Sequence, residues 1–400
     1  MILSITYPIS PKRPTLGTAW VRTVFGLESA DGEQVIADGV EVPYEPGRIV
    51  LFVGPSGSGK SSLLRAAAGQ APGAVWLDES PGGEDALIDT LGADPRAAAK
   101  LLAAVGLSEA PLLLRSAGEL SDGQRYRYGV ARCIQAGART VVADEWCAKL
   151  DRVTAKVVSR NVRKLADRRG VGFLLATTHE DVVADLAPDT LVRCGGGAVE
   201  VRTGRPFCRA ISFLDQLELT EGARTDWPYF ARWHYRSHTE GFVSRTVLLW
   251  HGDEPIGICM VGPAALNSSA RNAAFGLRGL RGPGKARLIN DQFASVSRLV
   301  LDPRYRGAGI GALFLRRVAE TTDKPWVELA SEMANLVPFA EAAGFRRMGI
   351  GRDKLDSGDA RCWYGPKKDR QRSWPGFLRR VRFSRPGYFV FDNRAFVVTP

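Results

Sequence analysis

The chain has 400 residues, with 54 Lys and Arg against 43 Asp and Glu, a net charge of +11 and a pI near 9.5. Nowhere do about 18 apolar residues run together, and the N-terminus lacks a basic-then-apolar signal. The expectation is a cytoplasmic protein with no membrane span, long enough for two domains. Its six cysteines are scattered without a C-x-x-C pair, which excludes a zinc framework and reads as reduced thiols.

In chain order, residues 19–27 and 35–42 read as strands, with turns at Asp31-Gly32 and Asp38-Gly39. Phe25 or Tyr44 is a candidate for stacking on an adenine, with a core role as the plain alternative. The apolar run Ile49 to Val53 predicts a buried strand, and Ser62 to Ala68 a helix. Between them, Gly54-Pro55-Ser56-Gly57-Ser58-Gly59-Lys60-Ser61 fits the phosphate-loop pattern without a mismatch. Glycines there let backbone N–H groups curl round a polyphosphate, and the helix start adds its positive dipole end. Lys60 supplies a point charge, Ser61 a hydroxyl for Mg²⁺, and Ser62 extends the ATP-binding set.

An alanine-rich stretch, 94–104, reads as a helix, and Leu120-Ser121-Asp122-Gly123-Gln124 opens another that runs to Ile134. The strand 140–143 ends in Asp144-Glu145, Leu150-Asp151 follows, and the strand 172–178 ends at His179. Acidic groups at the end of a buried strand beside a phosphate loop suit ATP cleavage. Asp144 joins Ser61 in the Mg²⁺ shell, Glu145 orients or deprotonates the attacking water, and His179 reaches the γ-phosphate. In order and spacing, residues 49–180 resemble an ABC-type ATPase. That resemblance implies that Ser121, Gly123 and Gln124 contact ATP held by an opposite protomer, with Asp151 lining the seam. A head-to-tail homodimer sandwiching two ATP molecules follows from it. This sequence departs from the family twice: residues 71–123 hold no glutamine, and Asp122 stands where glycine is usual. Asp78 and Glu79 are the candidates to replace the missing glutamine loop. Without that loop or a membrane span, a transporter subunit is not expected.

A glycine cluster from Gly195 to Pro206 marks the boundary between an ATPase domain, 1–203, and a second domain, 204–400. The second carries 31 basic against 19 acidic residues, so the whole charge excess sits there and suggests a polyanionic or phosphorylated partner. Residues 229–236 are aromatic and basic, strands at 246–250 and 255–261 form a hairpin over Gly252-Asp253, and 276–287 reads as a loop. Then come a strand from Ser295 to Leu301, a basic glycine loop and a helix from Ala312 to Glu320. Successive N–H groups of such a loop suit a pyrophosphate, with Arg304 and Arg306 adding charge. A strand at 326–330, a helix at 336–343 and strands at 389–391 and 396–398 complete the reading.

Arg306-x-x-Gly309-x-Gly311, Asn335 and Phe339 to Phe345 resemble a GNAT-type acyltransferase, an α+β fold. The resemblance implies an acetyl-CoA or other acyl-CoA site from Leu299, Val300, Arg304, Arg306, Gly307, Ala308, Gly309, Ile310, Gly311, Ala312 and Asn335. Phe339 stands where many members have the tyrosine that protonates the CoA thiolate, and phenylalanine cannot donate. More loosely, Trp233-His234-Tyr235, Asn290-Asp291 and Ser297-Arg298-Leu299 resemble the Mom-type acyltransferases of phages, which modify adenine in DNA. The fused arrangement, with the stretch Asp144 to Arg152, resembles soluble ABC ATPases carrying an acyltransferase domain. By chemistry, Asp291 and His234 are candidates for proton removal, Tyr235 for stacking or proton donation, and Ser297 and Arg298 for orienting substrate. Each has a structural alternative as a cap, a helix end or an ion-pair partner. In the tail, Lys367, Lys368, Arg372, Arg379, Arg380 and Arg382 alternate with aromatics as in nucleic-acid binding, DNA before RNA. Acyl transfer to tRNA, a protein or a small amine, or an SMC-like clamp with a degenerate acyltransferase domain, stays open beside this reading.

Overall fold

The computed structural model describes residues 1–9, 13, 15–26, 32–78, 82–195, 198–205, 210–234, 241–350 and 386–396. From the N-terminus come β1 (Ile2–Ile9), α1 (Leu16–Phe25), β2 (Gly32–Glu41), β3 (Ile49–Val53), α2 (Lys60–Gln70) and β4 (Ala74–Trp76). Next are α3 (Leu87–Thr90), α4 (Pro95–Ala104), α5 (Asp122–Gln135), β5 (Thr140–Ala143), α6 (Arg152–Arg169) and β6 (Gly172–Thr177). Then follow α7 (Val183–Leu186), β7 (Thr190–Gly195), β8 (Ala198–Thr203), β9 (Leu217–Gly222), α8 (Trp227–Ala231), β10 (Arg245–His251) and β11 (Glu254–Pro263). Last are α9 (Ser269–Ala274), α10 (Gly282–Gln292), β12 (Phe293–Leu301), α11 (Ile310–Glu320), β13 (Trp326–Ser331), α12 (Met333–Leu336), α13 (Phe339–Ala342), β14 (Arg346–Ile350) and β15 (Gly387–Asp392). No described helix is long and apolar enough to cross a membrane.

The chain divides into two compact units, Met1–Glu84 with Ala117–Ile211, and Asp85–Ser116 with Ser212–Pro400. In the first, six strands run in the order β4-β5-β6-β3-β7-β8, parallel except for the terminal β7–β8 pair. Strands β3, β5 and β6 are buried along their whole length, as unbroken apolar runs in a helix-covered parallel sheet must be. Val50, Phe52, Val142, Leu174 and Val192 pack with Leu63, Leu64 and Ala67 of α2 to form the core.

A correction falls at 19–27. The expected strand is the helix α1, because Thr15 and Thr18 close a capping box and Gly26 ends the helix at φ 61°. Those caps outweigh the β-branched content between them. Phe25 lies on this helix, 65 % exposed, while the Tyr44 hydroxyl bonds Thr140 Oγ1 at 2.6 Å within the fold.

In the second unit, a seven-stranded sheet runs β14-β15-β13-β12-β11-β10-β9. Every neighbouring pair is antiparallel except β12–β13. That parallel pairing spans only Phe293↔Trp326 to Val296↔Leu329, although both strands continue. Between β11 and β12 the register shifts, with Met260 opposite Arg298 and Val261 opposite Val296, so Ser297 is the extra residue of a bulge.

Three further expectations change here. Residues 282–287 start the helix α10, with Pro283 in its first turn, where a missing N–H costs nothing. The helix expected over 336–343 is two short turns, α12 and α13, broken at Pro338. Phe396 lies in a turn, its N–H bonded to Asn393 O at 2.9 Å, and the rest of that expected strand is outside the described residues.

Candidate functional site

The phosphate loop leaves the end of β3 in a conformation that only glycine takes easily. Gly54, Gly57 and Gly59 sit at φ 152°, 80° and 85°, and Gly59 starts α2 without a side-chain cap. A Cβ on Gly54 would lie 1.9 Å from the Cys194 carbonyl oxygen, so the backbone there admits no larger residue. Lys60 is 8 % exposed and its Nζ donates to Pro55 O at 2.6 Å, across the mouth of the loop. Ser58 Oγ is buried and has no hydrogen-bond partner among the described residues, a cost that an incoming phosphate oxygen would remove. Ser61 and Ser62 occupy the first turn of α2, where Ser62 Oγ meets the Tyr7 hydroxyl at 2.5 Å. Ser56 is exposed on the loop. Bare N–H groups, an orphan hydroxyl and a buried lysine fit a magnesium–nucleoside triphosphate, which Ser61 and Asp144 would hold through the metal.

The acidic pair lies at the same sheet edge, because β5, β6 and β3 are adjacent and parallel. Asp144 Oδ1 accepts the Glu145 N–H at 3.0 Å, and Glu145 and Cys147 both adopt positive φ, 48° and 56°. A strained turn of this kind persists only where its surroundings fix it. Trp146, wholly buried, does so: its N–H reaches Ala176 O at 2.6 Å, its Nε1 reaches Ser159 Oγ at 3.0 Å, and Thr177 Oγ1 donates to its carbonyl at 3.1 Å. Thr177 Oγ1 also accepts the His179 N–H at 3.1 Å, so one side chain ties the acidic turn to the histidine. Trp146 lies within the stretch Asp144 to Arg152, where no local spacing pointed to this role.

Ser121 caps α5 and forms a capping box with Gln124, whose N–H and side chain answer it at 3.4 and 3.1 Å. Gly123 is on the first turn, and Asp151 caps α6 by accepting the Thr154 N–H at 2.9 Å. Asp78 lies 3.9 Å from Arg132, and Glu79 is outside the described residues.

A second anion cradle follows β12. Gly307 and Gly309 take φ 95° and 102°, and Gly309 starts α11 with no side-chain cap, leaving the helix N-terminus open. Leu299 and Val300 precede this loop on β12, Ala308 and Ile310 are buried beside the glycines, and Gly311 and Ala312 continue α11, Gly311 with open space at its Cβ position. The arginines have protein partners. Arg304 pairs with Glu254 and with Asp302 at 2.8 Å, while Arg306 donates from Nε to Leu301 O at 2.8 Å and faces Glu109 at 3.7 Å. Asn335 donates to Glu332 at 3.1 Å and accepts from Arg347.

Trp227, which sequence reasoning passed over, gathers two of the proposed groups. His234 stands edge-on to its ring at 5.5 Å, and the Arg298 guanidinium lies 5.8 Å from the ring centre. The indole is 2 % exposed, and its Nε1–H has no acceptor among the described residues. Ser297 Oγ instead bonds Met260 O at 3.1 Å, and Asp291 is exposed near the end of α10. Tyr235 and the basic residues Lys367, Lys368, Arg372, Arg379, Arg380 and Arg382 lie outside the described residues.

No family model matches the chain. It is 30 % identical over 206 residues to the phosphonates import ATP-binding protein PhnC of Hyphomonas neptunium, covering 40 % of this chain and 76 % of that protein. It is 32 % identical over 212 residues to the nickel import ATP-binding protein NikD of Brucella abortus, covering 42 % and 81 %. Among solved structures, cbiO1 from Clostridium perfringens, part of the ABC transporter complex cbiONQ, aligns with a TM-score of 0.36 at 17 % identity, covering 42 % of this chain and 82 % of that one. With the phosphate loop, signature helix, strained acidic turn and histidine in this order, the N-terminal part of the chain makes it a member of the ABC-type ATPases.

Proposed function

We propose that this ABC-type ATPase pairs head-to-tail on ATP and transfers an acyl group from an acyl-CoA to an amine of a nucleic-acid base, adenine in DNA first. The observation that carries the second half is the sheet around β12. One parallel pair in an otherwise antiparallel sheet separates beyond Val296 and Leu329, and the glycine loop at 307–309 follows the end of β12. This arrangement supports the GNAT-like reading: a pantetheine arm suits the opening between the strands, and a diphosphate suits the bare start of α11. In the proposed step the amine nitrogen attacks the thioester carbonyl, the C–N bond forms and the C–S bond breaks. The nitrogen's proton passes to His234, and the thiolate takes a proton from water, since Phe339 has none to give. Arg298, half-buried with its guanidinium 5.8 Å from the Trp227 ring centre, is a donor for a base or acyl oxygen. An exocyclic amine in a duplex must leave the stack to react, which gives a nucleotide-driven clamp a use.

The test is mass analysis of nucleosides digested from DNA and RNA of cells with and without the protein. A mass gain equal to one acyl group on adenosine or deoxyadenosine is expected, and unchanged nucleosides in both pools refute the transfer. A second reading, an SMC-like clamp with a degenerate transferase fold, is favoured by Phe339 and by the protein partners of Arg304 and Arg306. Acetyl-CoA binding that disappears in Gly309→Val would rule it out.

A further inference from the structure

Residues 85–116 lie in sequence between the phosphate loop and the signature, yet they belong to the second compact unit. Their two ends are chain junctions with the first unit, at Glu84–Asp85 and Ser116–Ala117, the latter five residues before Ser121. The segment is structured and closed on itself. Asp94 caps α4, the Leu87 N–H bonds Arg115 O at 2.9 Å, and Leu87, Ala98, Leu102 and Leu112 are buried. Helix α4 neighbours α12 of the same unit.

Its chemistry is concentrated at Glu109. That carboxylate lies 3.7 Å from the guanidinium of Arg306, with the two side chains 21 % and 14 % exposed. Arg306 immediately precedes Gly307, the first positive-φ residue of the cradle at the start of α11. A diphosphate entering the cradle therefore meets a carboxylate already facing the buried guanidinium that precedes Gly307. Charges this close and this poorly solvated interact strongly, so Glu109 and the ligand compete.

We propose, building on the acyl-CoA reading above, that residues 85–116 are a coupling element. Through Glu109 on Arg306, they make the affinity of the 307–310 cradle for an acyl-CoA depend on the nucleotide held by the first unit. Because the segment's C-terminal junction lies five residues before Ser121, a change that nucleotide makes at the signature would reach the segment along the chain, and Glu109 is the group that would carry it to the cradle. Burial already makes the Arg306 charge harder to hold, with Glu109 and Asp302 opposing that, which is why loss of this one carboxylate would be felt there. Linkage requires reciprocity: a nucleotide that changes CoA affinity by some factor has its own affinity changed by the same factor.

The experiment is calorimetric titration of the full chain with acetyl-CoA, with and without a non-hydrolysable ATP analogue and Mg²⁺. It is repeated for Glu109→Gln and Glu109→Ala after thermal melts show both folded. The wild-type chain is expected to bind acetyl-CoA with Kd differing about fivefold or more between the two conditions. Both variants are expected to bind about five- to tenfold more tightly and to lose the nucleotide dependence. If wild type binds acetyl-CoA equally in both conditions, or the variants keep the full dependence, the coupling is refuted while the acyl-CoA reading survives. If neither wild type nor variant binds acetyl-CoA under any condition, the acyl-CoA reading itself fails, and the coupling with it.

Discussion

Replacing Asp189 with Ala should unfold the nucleotide-binding unit more readily than any surface change, and the structure gives the size of the effect. Asp189 Oδ2 accepts from Arg163 at 2.8 Å and from the Ile49 N–H at 2.8 Å, and Oδ1 meets Arg48 at 3.1 Å. Arg163 is 2 % exposed and Asp189 8 %, so this is a buried pair. Removing one member of such a pair costs about 3–5 kcal/mol. Arg163 keeps Asp167 at 2.8 Å on its other nitrogen, which favours the lower end, about 3 kcal/mol. The orphaned Ile49 N–H, at the first residue of the strand that feeds the phosphate loop, adds about 1 kcal/mol. With a urea slope of about 2 kcal/mol/M, the midpoint of the first transition falls by about 2 M. Asp189→Asn, which still accepts from Ile49, should lose roughly half as much.

The pH dependence has a definite sign. Burial pushes the Asp189 carboxyl up, but Arg163, the Ile49 N–H and Arg48 outweigh it and the net shift is downward. A depressed carboxylate stabilises fully above its unfolded value near 3.9, and the benefit disappears as pH falls through the folded value. The gap between wild type and Asp189→Ala should therefore be constant at neutral pH and close in strong acid. A loss below about 1 kcal/mol at pH 7, or a gap that widens in acid, would refute the assignment.

Ser58→Ala should raise the melting temperature of the nucleotide-free chain, because it removes a buried hydroxyl with no described partner, yet weaken ATP binding by about 1 kcal/mol in a calorimetric titration. Gly54→Ala should abolish nucleotide binding and cost about 3 kcal/mol or more, since its Cβ meets the Cys194 carbonyl at 1.9 Å; a folded, ATP-binding variant would contradict this geometry. In the second unit, Arg271, fully buried, holds Glu328 at 3.1 Å, and Tyr388 donates to the same carboxylate at 2.8 Å. Arg271→Met should destabilise by about 3–5 kcal/mol, and adding Glu328→Met should recover most of it in a thermal double-mutant cycle. Burial, with Arg160 and Arg168 alongside, pulls the Lys164 ammonium down to about 8. Its unfavourable charge is relieved as pH rises from there toward the unfolded value, so Lys164→Met should stabilise by about 1–3 kcal/mol at pH 7 and flatten that rise.

Local chemistry was legible without coordinates wherever neighbouring residues decide it. The phosphate loop and the signature helix follow from short-range spacing, because the backbone needs of the first are written in its glycines and those of the second in the Ser121–Gln124 capping box; the acidic turn is legible as a motif, but Ala176 and Thr177 on β6 hold its shape. Where propensity and capping disagreed, at 16–25 and 282–287, the strand and loop readings lost to Thr15, Gly26 and Pro283, whose effect on helix ends is strong but easily overlooked beside β-branched neighbours. Trp227, Trp146 and Thr177 carried no pattern of their own; each has a partner far along the chain, as Trp146 has in Thr177 and Trp227 in Arg298.

Two glycine loops, each opening a helix, and the gathering of positive charge in the second half are readable from the order of residues alone. Which residues stand against those loops is a matter of three-dimensional packing. The pairing of Arg306 with Glu109 joins positions far apart in the chain, and the packing of residues 85–116 with the second unit rests on surfaces that no local periodicity encodes. A side chain's neighbours along the chain fix its backbone, but its charge acts through space, and that distance is set only once the sheets have closed.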